Sequence, residues 1–173
     1  MLGRSLRADP IFQWSFGGAG LSGDIAKFAQ RIYAAPTERG MVWEAGGCRA
    51  VAVWVPPGVR VVDSSPFPGS GLAGEDLGVP NAEETWTWIE SFVPGDAWYL
   101  EVLGVDPDAQ GDGLGGALIR HGLDFAAAAG AGAFLETSVA GNVPYYERFG
   151  FEVVDEQDMP GEGPHVWFMR VDP

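Results

Sequence analysis

The stretch from Trp98 to Phe125 constrains the fold of this chain most, because it reads as a buried strand, a glycine-rich loop and a helix in direct succession. The predicted strand covers residues 98–105, the loop covers 110–116, and the helix opens out of the loop. Glycines let a ligand approach the backbone closely, and the free N–H groups and dipole at a helix N-terminus favour an anion. The stretch therefore predicts a site for a phosphorylated ligand.

The order of the predicted elements indicates a mixed α/β fold on one sheet, with a strand–helix–strand crossover in the second half. The predicted strands cover residues 41–44, 49–55, 98–105, 133–139, 151–154 and 165–171, and the predicted helices cover 22–35, 82–92 (after an N-cap at Asn81), 112–129 and 142–149. A glycine- and proline-rich segment, 58–80, is interpreted as a lid or a surface excursion. No repeat or linker divides the chain, so a single domain over 1–173 is expected.

One interpretation of the glycines is a dinucleotide-binding fingerprint, because they have the form Gly111-x-Gly113-x-x-Gly116. Glu136 even lies 20 residues after Gly116, where that fingerprint places a ribose-binding acid. Only about 60 residues follow the motif, too few for the second half of such a domain. An oxidoreductase is therefore the less favoured hypothesis, and a nucleoside-triphosphate loop is unsupported because no Gly-Lys-Ser/Thr ending follows.

A second interpretation accounts for more of the chain. The string Gln110-Gly111-Asp112-Gly113-Leu114-Gly115 has the form Gln/Arg-x-x-Gly-x-Gly/Ala and follows Val105-Asp106-Pro107. Downstream come Leu135-Glu136-Thr137 and then the run from Asn142 to Phe151, with its Tyr-x-x-x-Gly-Phe ending. These linked motifs resemble the GNAT superfamily of acyl-CoA-dependent N-acyltransferases over about residues 97–155. The resemblance implies a mostly antiparallel mixed sheet whose β–α–β unit is splayed to admit acyl-CoA.

The resemblance also implies which residues bind acetyl-CoA, the expected co-substrate. Backbone N–H groups of the loop would bind the pyrophosphate, backbone groups of Leu103 and Val105 would pair with the pantetheine amides, and Asn142 would hold the pantetheine arm. The implied loop residues are Gln110, Gly111, Asp112, Gly113, Leu114, Gly115 and Gly116.

Two residues are candidates for catalysis. By the resemblance, Tyr146 would lie near the sulfur and protonate the departing thiolate, although a tyrosine before Gly-Phe could also be a core aromatic. Glu101 lies inside an apolar strand, at the alternation of Tyr99 and Leu103, and a carboxylate there needs a reason. It is either a general base or a structural charge, and Glu136 on the next strand is an analogous carboxylate.

The predicted reaction is therefore acetyl transfer from acetyl-CoA to a primary amine by direct attack in a ternary complex. A domain that binds acyl-CoA without turnover, as a sensor, is the alternative from another class. The chain departs from the family at its start, because members commonly open with a strand. Either Ile11 to Phe16 supplies that strand or it is absent, so the acceptor is the least defined part of the prediction.

Charge and cysteine content indicate which partners and which cellular compartment suit the protein. The chain has 10 basic and 24 acidic residues, a formal net charge of −14, which disfavours nucleic acid and anionic membranes as partners and favours a small cationic amine. One cysteine, Cys48, and no apolar leader at the start favour the cytoplasm. Two histidines without metal-ligand spacing predict no metal site. Dimers are frequent among similar proteins, so a homodimer is one expectation.

Overall fold

The computed structural model describes residues 1–16, 41–59 and 82–173. The predicted helix at 22–35 and the predicted loop at 58–80, apart from its first two residues, lie outside them. The helices are α1 (Leu2–Ser5), α2 (Pro10–Phe16), α3 (Ala82–Glu90), α4 (Leu114–Ala128) and α5 (Val143–Glu147), with short 3-10 turns at Pro107–Ala109 and Ala140–Asn142. The strands are β1 (Met41–Ala45), β2 (Ala50–Val55), β3 (Ala97–Val105), β4 (Gly132–Thr137), β5 (Glu152–Asp158) and β6 (His165–Val171).

These strands form one sheet in the order β1-β2-β3-β4-β6-β5. All neighbours are antiparallel except β3 and β4, which are parallel and joined through α4. The predicted fold class, a mixed and mostly antiparallel sheet with one β–α–β crossover, is confirmed. The segment Ile11–Phe16, proposed as a possible first strand, belongs to helix α2, so that proposal is wrong. Its apolar residues at positions 11, 12 and 16 are buried, as one face of a helix requires.

The two faces of the sheet carry separate cores. On one face, α4 and α5 pack through Leu118, Ile119 and Tyr146 against strand residues such as Trp54 and Leu135. Helices α2 and α3 cover the other face, where Ile11 and Ile89 of the helices are buried with the strand residues Tyr99, Phe134 and Phe168. A Cβ atom at Gly122 would overlap the ring of Trp54, so this glycine lets α4 lie directly on β2. The sheet is therefore a middle layer between two layers of helices.

Strand β3 contains a β-bulge at Glu101. Val53 of β2 pairs with Val102, whereas the next residue, Trp54, pairs with Leu100, so Glu101 has no opposite residue on β2. A bulge of this kind bends the strand and changes the direction of the side chains that follow. The bulge therefore sets the geometry of the second half of β3.

This bulge corrects one sequence-based expectation, that Tyr99, Glu101 and Leu103 lie on the same side of β3. Tyr99 belongs to the core under α2 and α3, whereas Leu103 and Val105 pack with Leu100 against the core under α4. The extra residue reverses the alternation of side chains beyond Glu101. The expectation was wrong because a bulge arises from pairing between two strands and leaves no local signal.

Candidate active site

Strands β3 and β4 pair at their beginnings and then diverge. Their ladder consists of Ala97–Gly132, Trp98–Ala133 and Tyr99–Phe134, although β3 continues to Val105 and β4 to Thr137. The gap opens into a cleft of about 670 Å³. All the predicted site residues except Asp112 line it, and these are Glu101, Leu103, Val105, Gln110, Gly111, Gly113, Leu114, Gly115, Gly116, Asn142 and Tyr146. The structure thus brings together residues that were predicted from separate motifs.

The glycine loop provides open backbone at one end of the cleft. Gly111 and Gly113 have φ of +92° and +80°, in the left-handed region, and a Cβ atom on either would meet nothing within 4 Å. The first helical bond of α4 runs from the N–H of Ala117 to Gly113, so the N–H groups of 113–116 have no acceptor among the described residues. Unpaired N–H groups at the positive end of a fifteen-residue helix form an anion site.

Asp112 differs from its neighbours in the loop. Its N–H donates to the carbonyl of Ala109 at 3.3 Å, and its carboxylate lies 3.3 Å from the guanidinium of Arg49 in the turn between β1 and β2. Both groups are about half exposed, so the ion pair adds little stability. Asp112 thus connects the loop to the hairpin, and its predicted part in ligand binding stays a prediction.

Aromatic side chains support the other side of the loop. A Cβ atom at Gly115 would lie 3.1 Å from the Tyr145 hydroxyl, and one at Gly116 would lie 3.2 Å from the ring of Phe149. The guanidinium of Arg148 lies 4.8 Å from the centre of the Tyr145 ring and lines the cleft. Sequence reasoning did not single out Arg148, although it stands inside the motif that pointed to the site. A cation beside the anion site fits a phosphate group.

Asn142 and Thr137 meet where β4 ends. The side-chain amide of Asn142 donates to the hydroxyl of Thr137 at 3.3 Å, and both residues line the cleft. Asn142 occupies the N-cap position of α5, yet its side chain makes no capping hydrogen bond there. Its side chain is therefore directed to β4 and the cleft, where the sequence analysis expected it to hold a ligand.

Tyr146 is buried, with 8% of its surface exposed, and still lines the cleft. Burial is the main reason why the pKa of the Tyr146 hydroxyl lies above its usual range. Electrostatic interaction with Tyr145, Glu136 and Asp9 raises this pKa further. Tyr146 is thus a core aromatic whose hydroxyl stays protonated at neutral pH, so both roles considered from the sequence are compatible with its place.

Glu136 is the most unusual carboxyl in the cleft. Its Oε1 accepts a hydrogen bond of 3.0 Å from the Tyr99 hydroxyl, whereas its Oε2 is buried and has no hydrogen-bond partner within residues 1–16, 41–59 and 82–173. Burial, opposed by the bond from Tyr99 and reinforced by the charges of Glu101 and Asp9, raises the pKa of Glu136 from 4.5 to about 8. A carboxyl that titrates near neutral pH in a cleft is a candidate for proton transfer.

Asp9 is a cleft residue that sequence reasoning missed. Its Oδ1 accepts from the N–H groups of Ile11 and Phe12, at 2.9 and 3.3 Å, and from the hydroxyl of Ser138 at 3.2 Å. Asp9 therefore caps α2 and ties it to the end of β4. Burial raises the pKa of Asp9 against the lowering effect of these bonds. The signal was the pair Asp9-Pro10, which is typical of a helix start.

The remaining reactive side chains lie outside the cleft lining. Cys48 is exposed in the turn between β1 and β2, and His121 packs edge-on against Trp43 with ring centres 4.4 Å apart. His165 lies at the start of β6, where its Nδ1 is 2.7 Å from Asp158. Within residues 1–16, 41–59 and 82–173, no group of side chains has the arrangement of a metal site. Across the same ranges, the longest apolar helices fall short of a membrane span.

Comparison with known proteins finds a family match for the region that contains the motifs. Residues 75–151 match the model of the Acetyltransferase (GNAT) family. This range includes the glycine loop, β4 and the Tyr146 helix, which are the segments on which the resemblance was drawn.

Solved acetyltransferase structures share the fold. One, described as histone acetyltransferase HPA2 and related acetyltransferase from Corynebacterium glutamicum, has 23% identity, a TM-score of 0.64, and coverage of 99% of this chain and 87% of its own. A second acetyltransferase has 18% identity, a TM-score of 0.56 and coverage of 99% and 92%. The ribosomal-protein-S18-alanine N-acetyltransferase from Escherichia coli has 19% identity, a TM-score of 0.50 and coverage of 95% and 84%.

At such identities these structures bear on the fold alone, which they share over nearly the whole length of this chain. The family match covers the cleft-lining residues from Trp86 to Arg148, whereas the lining residues within 5–12 lie outside it. The resemblance is therefore confirmed, because residues 75–151 match the model of the Acetyltransferase (GNAT) family and the fold is that of solved acetyltransferases.

Proposed function

We propose that this protein is an N-acetyltransferase that moves the acetyl group of acetyl-CoA to a primary amine by direct transfer in a ternary complex. One observation carries the proposal: a single cleft joins an open anion site at the glycine loop to a buried tyrosine and carboxyls between diverging strands. The family match supplies acyl transfer as the class of reaction.

The loop end of the cleft fits the pyrophosphate of CoA. The free N–H groups of 113–116 would donate to phosphate oxygens, and the guanidinium of Arg148 would add a positive charge nearby. The absence of side-chain atoms at Gly111 and Gly113 leaves room for a phosphate against the backbone. These features suit a phosphate group, whereas an apolar ligand would leave the N–H groups without partners.

The gap between β3 and β4 fits the pantetheine arm. Beyond Tyr99 the edge of β3 that faces β4 has no strand partner in the described sheet, so backbone groups at Leu103 and Val105 are placed to bind amides. Asn142, held by Thr137 at the end of β4, would bind the arm from the other side. Bound acetyl-CoA would supply a thioester whose carbonyl carbon is open to attack.

The chemistry at the far end of the cleft requires two proton transfers. The attacking amine must give up a proton as the new C–N bond forms, and Glu101 or Glu136, which both line the cleft, would receive it. The C–S bond breaks, and Tyr146 would give a proton to the departing sulfur, since burial keeps its hydroxyl protonated. The only cysteine of the chain, Cys48, lies away from the cleft, which supports direct transfer without an acyl-enzyme.

Calorimetric titration with acetyl-CoA, followed by assay of thiol release with a panel of primary amines, tests the proposal. We expect binding in the micromolar range and amine-dependent release of CoA. Absence of binding at millimolar acetyl-CoA would contradict the proposal as a whole. Binding without thiol release from any amine would instead support the alternative, a domain that binds acyl-CoA as a sensor.

The same proposal extends to the setting of the enzyme. A lone cysteine suits a reducing compartment, so we place the reaction in the cytoplasm. The net charge of −14 makes a small amine a better partner than nucleic acid or an anionic membrane.

A further inference from the structure

Two exposed arginines flank the aromatic residues that support the glycine loop. Arg120 belongs to α4, and Arg148 is the C-cap residue of α5. We infer that Arg120, together with Arg148, forms a second anion site beside the N–H groups of the loop, and that this site binds the phosphate monoester on the ribose of CoA. The protein therefore distinguishes acetyl-CoA from acetyl-dephospho-CoA, which lacks only that phosphate. This inference rests on the proposed function, because it concerns the same acyl donor.

Cations and aromatic rings alternate in a row beside the loop. The Arg120 guanidinium lies 5.3 Å from the centre of the Phe149 ring, and the Arg148 guanidinium lies 4.8 Å from that of Tyr145. The centres of the two rings are 5.3 Å apart, with one ring edge-on to the other. A guanidinium over a ring is held by the attraction between the cation and the π-electrons. Two long side chains are thus held in place, so less conformational entropy is lost when they bind an anion.

Arg120 extends back toward the glycine loop. Its Nη1 lies 3.7 Å from the position that a Cβ atom on Gly116 would occupy. Side chains of a helix point toward its N-terminus, and residues four apart lie on one face, so Arg120 covers the turn that starts at Gly116. Arg148 lines the cleft, whereas Arg120 does not. The charge of Arg120 is therefore next to the loop but outside the cleft, where a phosphate that the loop does not hold would lie.

The two guanidinium groups are not neutralised by carboxylates in the described part of the chain. Arg4, Arg49 and Arg170 each form an ion pair with an aspartate. Within residues 1–16, 41–59 and 82–173, Arg120 and Arg148 form none. The chain has 24 acidic and 10 basic residues, so this absence leaves a local positive charge on an acidic protein. A phosphate would supply the partner that these groups lack, since a guanidinium donates to it through two parallel N–H bonds.

The hydroxyl of Tyr145 shows that both cations act on the same place. Burial raises the pKa of Tyr145, and the charges of Arg148 and Arg120 both oppose this increase. The same hydroxyl lies 3.1 Å from the position of a Cβ atom on Gly115, in the first turn of α4. Both arginines therefore add their positive charge to that of the helix dipole at the N-terminus of α4.

The chemistry of CoA provides a matching anion. The N–H groups of the loop are proposed to bind the pyrophosphate, and CoA also carries a phosphate monoester on its ribose. Such a monoester bears a charge of about −1.5 to −2 near neutral pH and has three acceptor oxygens. The arginines thus suit the phosphate for which the loop provides no partner.

The net charge of the protein alone would favour the opposite ligand. A formal net charge of −14 opposes the binding of anions. Long-range repulsion by itself would favour acetyl-dephospho-CoA, because this donor carries less negative charge than acetyl-CoA. Tighter binding of acetyl-CoA therefore requires cations close to the additional phosphate. The sign of the preference distinguishes the local site from the overall field.

Calorimetric titration with acetyl-CoA and with acetyl-dephospho-CoA is the first test. We expect acetyl-CoA to bind more tightly by on the order of tenfold, which corresponds to about 1.4 kcal/mol. Equal affinities, or tighter binding of the dephospho form, would overturn the inference and leave the proposed function intact. Absence of binding of either donor would overturn the proposed function itself.

Substitutions at three arginines provide the second test. Arg120→Gln keeps a long polar side chain on α4 and removes the charge. Its affinity for acetyl-CoA should fall by roughly five- to tenfold, whereas its affinity for acetyl-dephospho-CoA should change by less than about twofold. Arg148→Gln should weaken both donors, because Arg148 also lines the cleft beside the loop. Arg7→Gln is the matched control: it removes the same charge from an exposed residue outside the cleft lining and should leave the preference unchanged.

The use of two donors separates a phosphate contact from a structural role. The contacts of Arg120 and Arg148 with aromatic rings also stabilise the fold, and thermal unfolding of each variant measures that contribution. A distorted loop would weaken both donors alike, whereas the loss of a contact with the ribose phosphate weakens acetyl-CoA alone. Equal weakening of both donors in Arg120→Gln would assign this arginine a structural role and overturn the inference.

Discussion

Glu136 shows at the scale of one residue how burial links stability to function. Within the described part of the chain only one of its carboxyl oxygens has a hydrogen-bond partner, and its pKa of about 8 lies far above the ordinary 4.5. Such a group makes the folded state less stable when it must ionise. A residue that costs stability in the apo protein is expected where a ligand completes the site.

The first prediction concerns this cost. Because the folded-state pKa of Glu136 is raised, its contribution to stability is fully present below pH 4.5 and is lost as the pH rises to about 8. Glu136→Gln removes this loss, so the variant should gain stability over the wild type across that interval and keep the gain above it. Urea unfolding at several pH values measures the difference, with Glu152→Gln as the control. A pH-independent difference would contradict the shifted pKa.

The second prediction concerns Tyr146. Replacing Tyr146 with Phe removes the proton donor but keeps the ring in the core, so turnover should fall by roughly 10- to 100-fold, at or below the lower end of general acid catalysis. The affinity for acetyl-CoA, measured by calorimetry, should change by less than about twofold because the glycine loop is intact. Equal turnover in the two proteins would remove Tyr146 from the mechanism.

At the scale of elements, the junction of the glycine loop and α4 depends on a left-handed backbone. Gly113 precedes the first residue of α4 and has φ +80°, and Gly130 follows the C-terminal end of α4 and has φ +69°. At both positions the described residues leave open space where a Cβ atom would be. Both positions require a left-handed backbone, which favours glycine, but of the two only Gly113 lines the cleft. They form a matched pair that separates strain from loss of binding.

The third prediction uses this pair. Gly113→Ala and Gly130→Ala should each lower the free energy of unfolding by about 1 to 2 kcal/mol, because an L-residue is strained in this region. Only Gly113→Ala should also weaken acetyl-CoA binding, by about tenfold or more, since its methyl group stands where a phosphate would approach the backbone. Calorimetric titration of both variants gives the comparison. Equal affinities would show that the loop does not hold the cofactor.

At the scale of the whole molecule, the net charge of −14 acts on every ligand that approaches. The field of an acidic protein attracts cations and opposes the anionic CoA, so the proposed binding of CoA at the glycine loop would depend on short-range contacts with N–H groups. Salt weakens long-range attraction, with a Debye length of about 8 Å near physiological ionic strength. The field should therefore influence the acceptor and the cofactor in opposite directions.

The fourth prediction follows from the opposite signs of the two ligands. Raising the salt concentration from about 10 mM to 0.5 M should lower kcat/KM for a diamine severalfold, while the affinity for acetyl-CoA should hold or improve. Steady-state kinetics and calorimetry across a salt series provide both numbers. A parallel loss for both ligands would contradict a role for the net charge in selecting the acceptor.

Local patterns predicted a good part of the molecule, because the signals lie within a few neighbouring residues. The apolar run of β3, the glycines that free the helix N-terminus, and the Asn142–Phe151 segment each carry their own stereochemistry. Their predicted boundaries fall within a few residues of the observed ones. Ile11–Phe16 was harder, because a short run of apolar residues suits either a strand or a buried helix.

Long-range packing decided what the sequence left open. The bulge at Glu101 exists only because β2 and β3 pair in one register, and the carboxyl of Asp9 reaches the cleft only because Ser138 holds it from 129 residues away. Glu136 owes its raised pKa to burial beside groups on other elements. By itself, then, the sequence determined the glycine loop with its open helix N-terminus and predicted a phosphorylated ligand there, since both depend on backbone chemistry within one segment. Tertiary structure alone decided the arrangement of the carboxyls, because their energies depend on neighbours that the chain brings together only when it folds.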